Sequence, residues 1–334
     1  MSGRLSPAFT RPPPLQPTSV IRVFSPAGSI GDESLRDGRA YLEAQGYRVD
    51  QPATVLERYN YFAGSKTSRA RELYDAVLKQ EEGCDSVIWA ARGGYGSSQM
   101  IEEGMTAQML DDLEQELAQN PKWLVGYSDI TVISLRLWAK ARVLVLHGPM
   151  VFNVAEYCPA ALRDMWTILT GTEPHTQVFE GDIRYGSGLA GSSGTLARGT
   201  LLGGNLQVLA SLVGAKDQGG QDLLPSFDGC ILLLEEVGDA AYRIHRSLRA
   251  LLRAPGFQSL AGIALGQLTS ANNYARGKYD QYEVLHELLE PLGIPVITAL
   301  EIGHEAATAW PIVLGADAEI HVSGELRVFV PGCA

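Results

Sequence analysis

The residue best placed to do chemistry in this sequence is Ser128, in the run Val125-Gly126-Tyr127-Ser128-Asp129-Ile130-Thr131. Residues 122–125 predict the end of a buried strand, and residues 129–140 predict a helix with Ile130, Ile133, Leu137 and Trp138 on one face. A serine at that corner is displayed to solvent. Strand, tight turn and helix form the mechanical setting of a nucleophile elbow, where the hydroxyl stands clear and the next backbone N–H points at a developing oxyanion. The hydrolase pattern G-x-S-x-G would place glycine where this chain has Ile130. The competing role for Ser128 or Asp129 is a plain helix cap, the commoner use of both residue types at a helix start.

A serine nucleophile needs a base, and the base needs an orienting group. Of the six histidines, His175 falls in an irregular stretch, His286 on a predicted helix, His321 in a terminal strand, and His245 on a helix near Arg243 and Arg246. Those settings favour structural or solvated roles. His147, in His147-Gly148-Pro149, ends an apolar strand, and His304, in Glu301-Ile302-Gly303-His304-Glu305, follows the apolar run 294–300. Spacing does not choose between these two. For the acid, Glu235-Glu236 closes the strongly apolar run 230–234, where a carboxylate is costly to desolvate without a partner. The other reading of that pair is a surface cap on the next helix.

The elements that must carry these residues alternate short apolar runs with helical patterns from Ile21 onward, the signature of an α/β fold with a largely parallel sheet. Strands are predicted near 21–25, 86–90, 123–125 and 143–146, with helices near 33–45, 68–80, 107–118 and 159–169. In such a sheet the working loops lie at the carboxyl ends of the strands. Ser25-Pro26-Ala27-Gly28, Arg92-Gly93-Gly94-Tyr95-Gly96 and the Ser128 turn all fall there.

With 334 residues, the chain exceeds what one hydrophobic core usually organises, so two domains are expected. Residues 1–18, with five prolines, read as a disordered or extended tail, and 19–171 as the N-terminal α/β domain bearing the serine. Periodicity fades over 172–194, which reads as a linker, and 195–334 reads as the second domain. Within the linker, residues 186–191 fit G-x-G-x-x-G, but no helix opens at the glycines, so a flexible segment is expected rather than a dinucleotide site. The second domain mixes strands near 230–234, 261–265, 319–322 and 326–330 with helices near 240–252 and 279–289, which predicts a smaller α+β or barrel-like unit.

Composition excludes several function classes. A net charge of -11 with no basic patch argues against nucleic acid as a partner. Cys84, Cys158, Cys230 and Cys333 show neither CxxC nor metal spacing, so core thiols and a tail thiol at Cys333 are expected instead of a disulfide framework. No run is apolar enough for a membrane span or a signal peptide, so no membrane partner and a cytoplasmic location are expected.

Taken in order, Arg92-Gly93-Gly94-Tyr95-Gly96, Gly126 to Thr131, His147-Gly148-Pro149, Gly203-Gly204-Asn205-Leu206, Leu234-Glu235-Glu236 with Tyr242-Arg243-Ile244, and Gly303-His304 resemble the LD-carboxypeptidase family of serine peptidases. The resemblance spans about residues 21–315. It implies a Rossmann-like or flavodoxin-like N-terminal parallel-sheet domain and a smaller, swivelling, barrel-like α+β C-terminal domain, with the active site in the cleft between them. It also implies a triad of Ser128, Glu235 and His304, with His147 in a supporting role. The oxyanion hole would use the backbone N–H of Asp129 and one from Gly93 or Gly94. Two departures touch the substrate-facing walls: His245 stands where the family has an acidic residue, and residues 310–315 form a longer Pro-to-Gly segment.

The activity so implied is hydrolysis of an L,D-peptide bond, releasing terminal D-alanine from murein tetrapeptides in cell-wall recycling. No metal or organic cofactor is implied. The partner would be a small muropeptide, and a homodimer is the assembly to test. Arg92 and Arg243 are candidate cations for the substrate's terminal carboxylate, the plain alternative for each being a salt bridge. A related branch of the family resembles the microcin C immunity peptidases, which cleave aminoacyl-nucleotide antibiotics. The alternative of another class is a non-catalytic peptide-binding protein that kept the cleft.

Overall fold

A computed structural model describes residues 9–79, 86–186, 188, 194–269 and 280–333 of the chain. Strands β1 (Val20–Phe24), β2 (Arg48–Asp50), β3 (Ser86–Ala90), β4 (Leu124–Val125) and β5 (Val145–His147) form a parallel sheet in the order β2-β1-β3-β4-β5. β1 is buried along its whole length, as expected of a parallel sheet covered by helices on both faces. Its one charged residue, Arg22, reaches Asp50 of β2 at 3.0 Å. The helices Asp32–Ala44, Lys66–Leu78, Ala107–Gln119 and Pro159–Thr170 follow the apolar spacing of the sequence. Side-chain caps start three of them: Ser65 accepts from the Ser68 N–H, Thr106 from the Met109 N–H and the Cys158 sulfur from the Ala161 N–H.

The strand order reverses between β1 and β3, so the loops after these strands lie at a topological switch point, the usual place for a ligand crevice. There the Gly28 N–H donates to the Gly93 carbonyl at 3.0 Å. The turn after β4 opens beside them.

The second sheet contains β6 (His175–Glu180), β7 (Asp182–Tyr185), β8 (Thr195–Asn205), β9 (Ile231–Val237), β10 (Gly262–Thr269), β11 (Val296–Thr298), β13 (Asp317–His321) and β14 (Glu325–Val330). Their order is β6-β14-β13-β8-β9-β10-β11-β7, curled into a half-barrel. The central strands β8 to β11 run parallel, and the flanking pairs are antiparallel. Strand β12 (Ile312–Leu314) leaves this unit and pairs antiparallel with β5, returning the chain to the first sheet. The carboxamide of Gln177 on β6 bridges to this strand, donating to Pro311 O at 2.8 Å and accepting from Val313 N at 3.0 Å.

Three boundaries differ from the sequence expectation. The stretch 172–194, expected as a linker, carries β6 and β7; β6 alternates buried and exposed positions and lies at a sheet edge, so it lacks the continuous apolar run of a central strand. Residues expected as part of the tail are fixed from residue 9 onward. The Arg11 guanidinium is buried and donates to the carbonyls of Ile168, Gly171, Glu173 and Pro331, binding the segment to the start and end of the second unit. Finally, β12 belongs to the first sheet although it falls within the expected second domain. Cys84 lies outside the described residues, as does most of the 186–191 glycine run, of which only Gly186 and Gly188 are described.

Candidate active site

Ser128 follows β4 through Gly126 and Tyr127 and holds a left-handed backbone, φ 62°. For a residue with a Cβ this conformation costs roughly 1–2 kcal/mol, and such strain collects at functional sites. Ser128 is partly exposed, whereas Tyr127, Asp129 and Ile130 are buried. The chain is helical from Ser128 to Ala141, with one wider π turn over Ser134–Trp138. Ile130, the departure from the hydrolase pattern, has a packing reason: a Cβ at Gly126 would come within 2.9 Å of Ile130 Cγ1 and 3.1 Å of Ala90 Cβ. The turn needs glycine before the serine, and Ile130 fills the space that glycine leaves.

The glycine turn lies against the serine. A Cβ on Gly93 would stand 3.2 Å from Ser128 Cβ and 3.4 Å from its Oγ. Among the described residues, no acceptor takes the N–H of Gly93 or Gly94, while the Gly93 carbonyl is held by Gly28. The turn is anchored at its far end by Asp129, whose Oδ2 accepts from the Ser97 N–H at 2.7 Å. Burial raises the Asp129 pKa to about 6, opposed by that N–H and by Arg69.

Glu235 sits at the carboxyl end of β9, wholly buried, and its Oε2 lies 2.6 Å from His304 Nδ1. The ring of His304 lies edge-on to Tyr127, centroids 4.8 Å apart, which sets it beside the residue preceding Ser128. No hydrogen bond joins Ser128 to His304 in this conformation. His304 rides on the crossover from β11 to β12, the segment that carries the chain from the second sheet back to the first. That segment runs close over β10 because Gly266 has no side chain: a Cβ there would meet Ile302 O at 2.2 Å and Glu235 Cβ at 3.2 Å. Gln267 fixes the loop from both ends, its N–H donating to Ile302 O at 2.7 Å and its Oε1 accepting from the Glu305 N–H at 2.8 Å. Nothing in the sequence pattern singles out Gly266 or Gln267. Behind the loop lies a cavity of about 410 Å³ lined by Gln267, Thr298, Glu301 and Thr308 among others.

Two further contacts join the elbow helix to the second unit. Thr131 Oγ1 accepts from the Asn205 N–H at 3.1 Å, and Asn205 Nδ2 donates to Glu236 at 3.2 Å. Arg136 pairs with Asp217 at 2.5 Å. The ring of His147 also lies edge-on to Tyr127, centroids 6.0 Å apart, buried and with no hydrogen-bond partner for Nε2 among the described residues. Burial lowers its pKa to about 4, against the pull of Glu235, so the imidazole is neutral at pH 7. Arg92 is exposed, with Nη1 on the Ser29 carbonyl at 2.8 Å. Arg243 is also exposed and engages Asp239 at 3.4 Å and the Tyr242 hydroxyl at 3.2 Å, the salt-bridge alternative. His245 reaches Glu287 at 3.2 Å.

Residues 21–148 match the profile of the LD-carboxypeptidase N-terminal domain, and residues 198–320 that of the C-terminal domain. The chain belongs to the LD-carboxypeptidase family. Ser128 lies in the first matched segment, Glu235 and His304 in the second. It is 31% identical over 316 residues to a putative carboxypeptidase of Synechocystis sp., covering 93% of this chain and 94% of the relative. It is 29% identical over 300 residues to a murein tetrapeptide carboxypeptidase of Pseudomonas aeruginosa, covering 87% and 90%. The solved structure of the microcin C7 self immunity protein MccF with aspartyl sulfamoyl adenosine shares the fold, with a TM-score of 0.76 at 20% identity over 98% of this chain and 100% of that one.

Proposed function

We propose that this member of the family is a serine LD-carboxypeptidase that hydrolyses the bond between an L-centre and a terminal D-alanine in murein tetrapeptides, acting in the cytoplasm in cell-wall recycling. The observation that carries this reading is the His304–Glu235 pair, 2.6 Å apart and set edge-on to Tyr127, beside a serine in a strained left-handed turn. With Glu235 accepting from Nδ1–H, His304 Nε2 is the free base. Ser128 Oγ attacks the carbonyl carbon and its proton passes to Nε2. The resulting oxyanion is met by the N–H of Asp129 and of Gly93 or Gly94, and the imidazolium protonates the departing D-alanine amine. Water, deprotonated by the same imidazole, then releases the acyl group from Ser128. The murein tetrapeptide carboxypeptidase relative supports the substrate class.

Incubation of the purified protein with a murein tetrapeptide should release D-alanine. Ser128→Ala should lose at least about 10⁴-fold in turnover with its fold intact, since the hydroxyl contributes little packing. Near-normal turnover by this variant would remove the nucleophile from the scheme. Aminoacyl sulfamoyl adenosine forms the second arm of the assay, because the fold is shared with the microcin C7 self immunity protein; cleavage of that compound alone would move the assignment to the immunity branch. Turnover of neither, with tight peptide binding, would leave a binding protein.

A further inference from the structure

We propose that the side chain of Asp129 is a positioning residue for the oxyanion hole, locking the glycine turn 93–96 against the Ser128 elbow so that the donors on the two loops keep one separation. The proposal rests on the reading of Ser128 as nucleophile. Asp129 directly follows Ser128, yet its carboxylate does not cap its own helix, whose first residues carry no side-chain cap. It crosses to another element and accepts the N–H of Ser97 at 2.7 Å. Ser97 opens the short helix Ser97–Gln99, directly after Gly96. The carboxylate therefore caps the segment that carries the opposite wall of the hole.

A second buried group closes the same turn. Arg69, from the helix Lys66–Leu78, has no exposed surface, and its Nη1 donates to Pro26 O and Gly96 O at 2.6 Å each. Its Nη2 donates to Gln99 Oε1 at 2.8 Å, and the guanidinium lies 4.8 Å from the centre of the Phe62 ring. Arg69 joins the loops after β1 and β3, and the Asp129 side chain joins the latter to the turn after β4. Gly93 is the point that must not drift: a Cβ there would already stand 3.4 Å from Ser128 Oγ. A carboxylate that is 3 % exposed is unfavourable to bury, and its placement on the Ser97 N–H of the facing loop is the geometry of a clamp. Donors preorganised in this way act where charge develops in the transition state and contribute little to ground-state binding.

The test uses a fluorophosphonate, whose phosphorus takes Ser128 Oγ with loss of fluoride while the phosphoryl oxygen occupies the hole. Asp129→Ala should label about 10²-fold more slowly at saturating probe, with the probe concentration for half-maximal rate unchanged; Asp129→Asn, which keeps an acceptor, should return to within about tenfold of the natural protein. Should Asp129→Ala fail to fold, Asp129→Leu, which keeps the volume but has no acceptor, should give the same split. An Asp129→Ala rate within about threefold of normal, or a loss confined to probe affinity, overturns the proposal. A natural protein that resists labelling removes the nucleophile reading, and this proposal with it. Labelling of both the natural protein and Asp129→Ala at equal rates leaves the nucleophile standing and sinks the clamp alone.

Discussion

His147 and His304 both follow apolar strands, and on paper they compete for one role; in the folded chain both rings lie edge-on to Tyr127, with contrasting surroundings. His304 has a carboxylate at 2.6 Å and keeps 14% of its side chain exposed. His147 is buried, its Nε2 has no partner, and its pKa falls to about 4. The difference teaches that partner and access, not a place at a strand end, distinguish two imidazoles. Burial alone makes an imidazole harder to protonate and so a poorer proton carrier at neutral pH.

The largest expected effect that would break this comparison is the pair His304→Ala and His147→Ala. Loss of His304 should cost about 10⁴-fold in kcat/KM on the murein tetrapeptide, whereas loss of His147, acting only through packing on Tyr127, should cost no more than about tenfold. A reversed ranking in steady-state assays would make His147 the base. Next is Glu235→Gln. It keeps the volume but removes the charge that favours Nδ1–H, so a drop of about 10³–10⁴-fold in kcat is expected, with His304 still ordered in a crystal structure. A decline of under tenfold would mean that the 2.6 Å contact is structural.

A stability measurement sharpens the contrast further. Above pH 6.5 both the folded and the unfolded chain hold His147 neutral. As pH falls from 6.5 toward 4, the unfolded chain takes up a proton that the folded one refuses, so folding stability drops by up to about 3 kcal/mol over that window. His147→Asn should flatten that part of the curve in urea titrations at pH 7 and 4.5. Equal slopes in both proteins would show that His147 is not desolvated in solution. The smallest effect concerns Arg92. Because its guanidinium rests on the Ser29 carbonyl beside the glycine turn, Arg92→Ala should raise KM for the free-acid tetrapeptide more than for its amide, by about 1 kcal/mol. Equal changes for the two peptides would assign Arg92 to loop structure only.

Much of the first sheet was legible because its strands are continuous apolar runs and its helices keep the 3.6-residue period. The Ser128 turn was legible for the same reason, since strand, glycine and amphipathic helix are contiguous. The strands β6 and β7 were not, because edge strands alternate polar residues and lack that signal. Nor was β12, whose three residues cannot announce which of two sheets they join. The side-chain role of Asp129 was hidden behind the commoner cap, because its acceptor position faces a loop more than thirty residues earlier in the chain.

By itself, the sequence determined the alternation of strand and helix, the displayed serine, the glycine turn, and a short set of histidines and carboxylates. Local periodicity and backbone preference act over neighbouring residues, so they can be read from neighbouring letters. Only the tertiary structure gave His304, and not His147, a carboxylate partner. That difference depends on the chain returning from β11 to β12 across the elbow, which brings His304 to a glutamate 69 positions earlier. It also depends on Gly266 leaving room for that crossing, and on the burial that keeps His147 neutral. Partner, access and desolvation belong to three-dimensional neighbours, and no spacing along the chain encodes them.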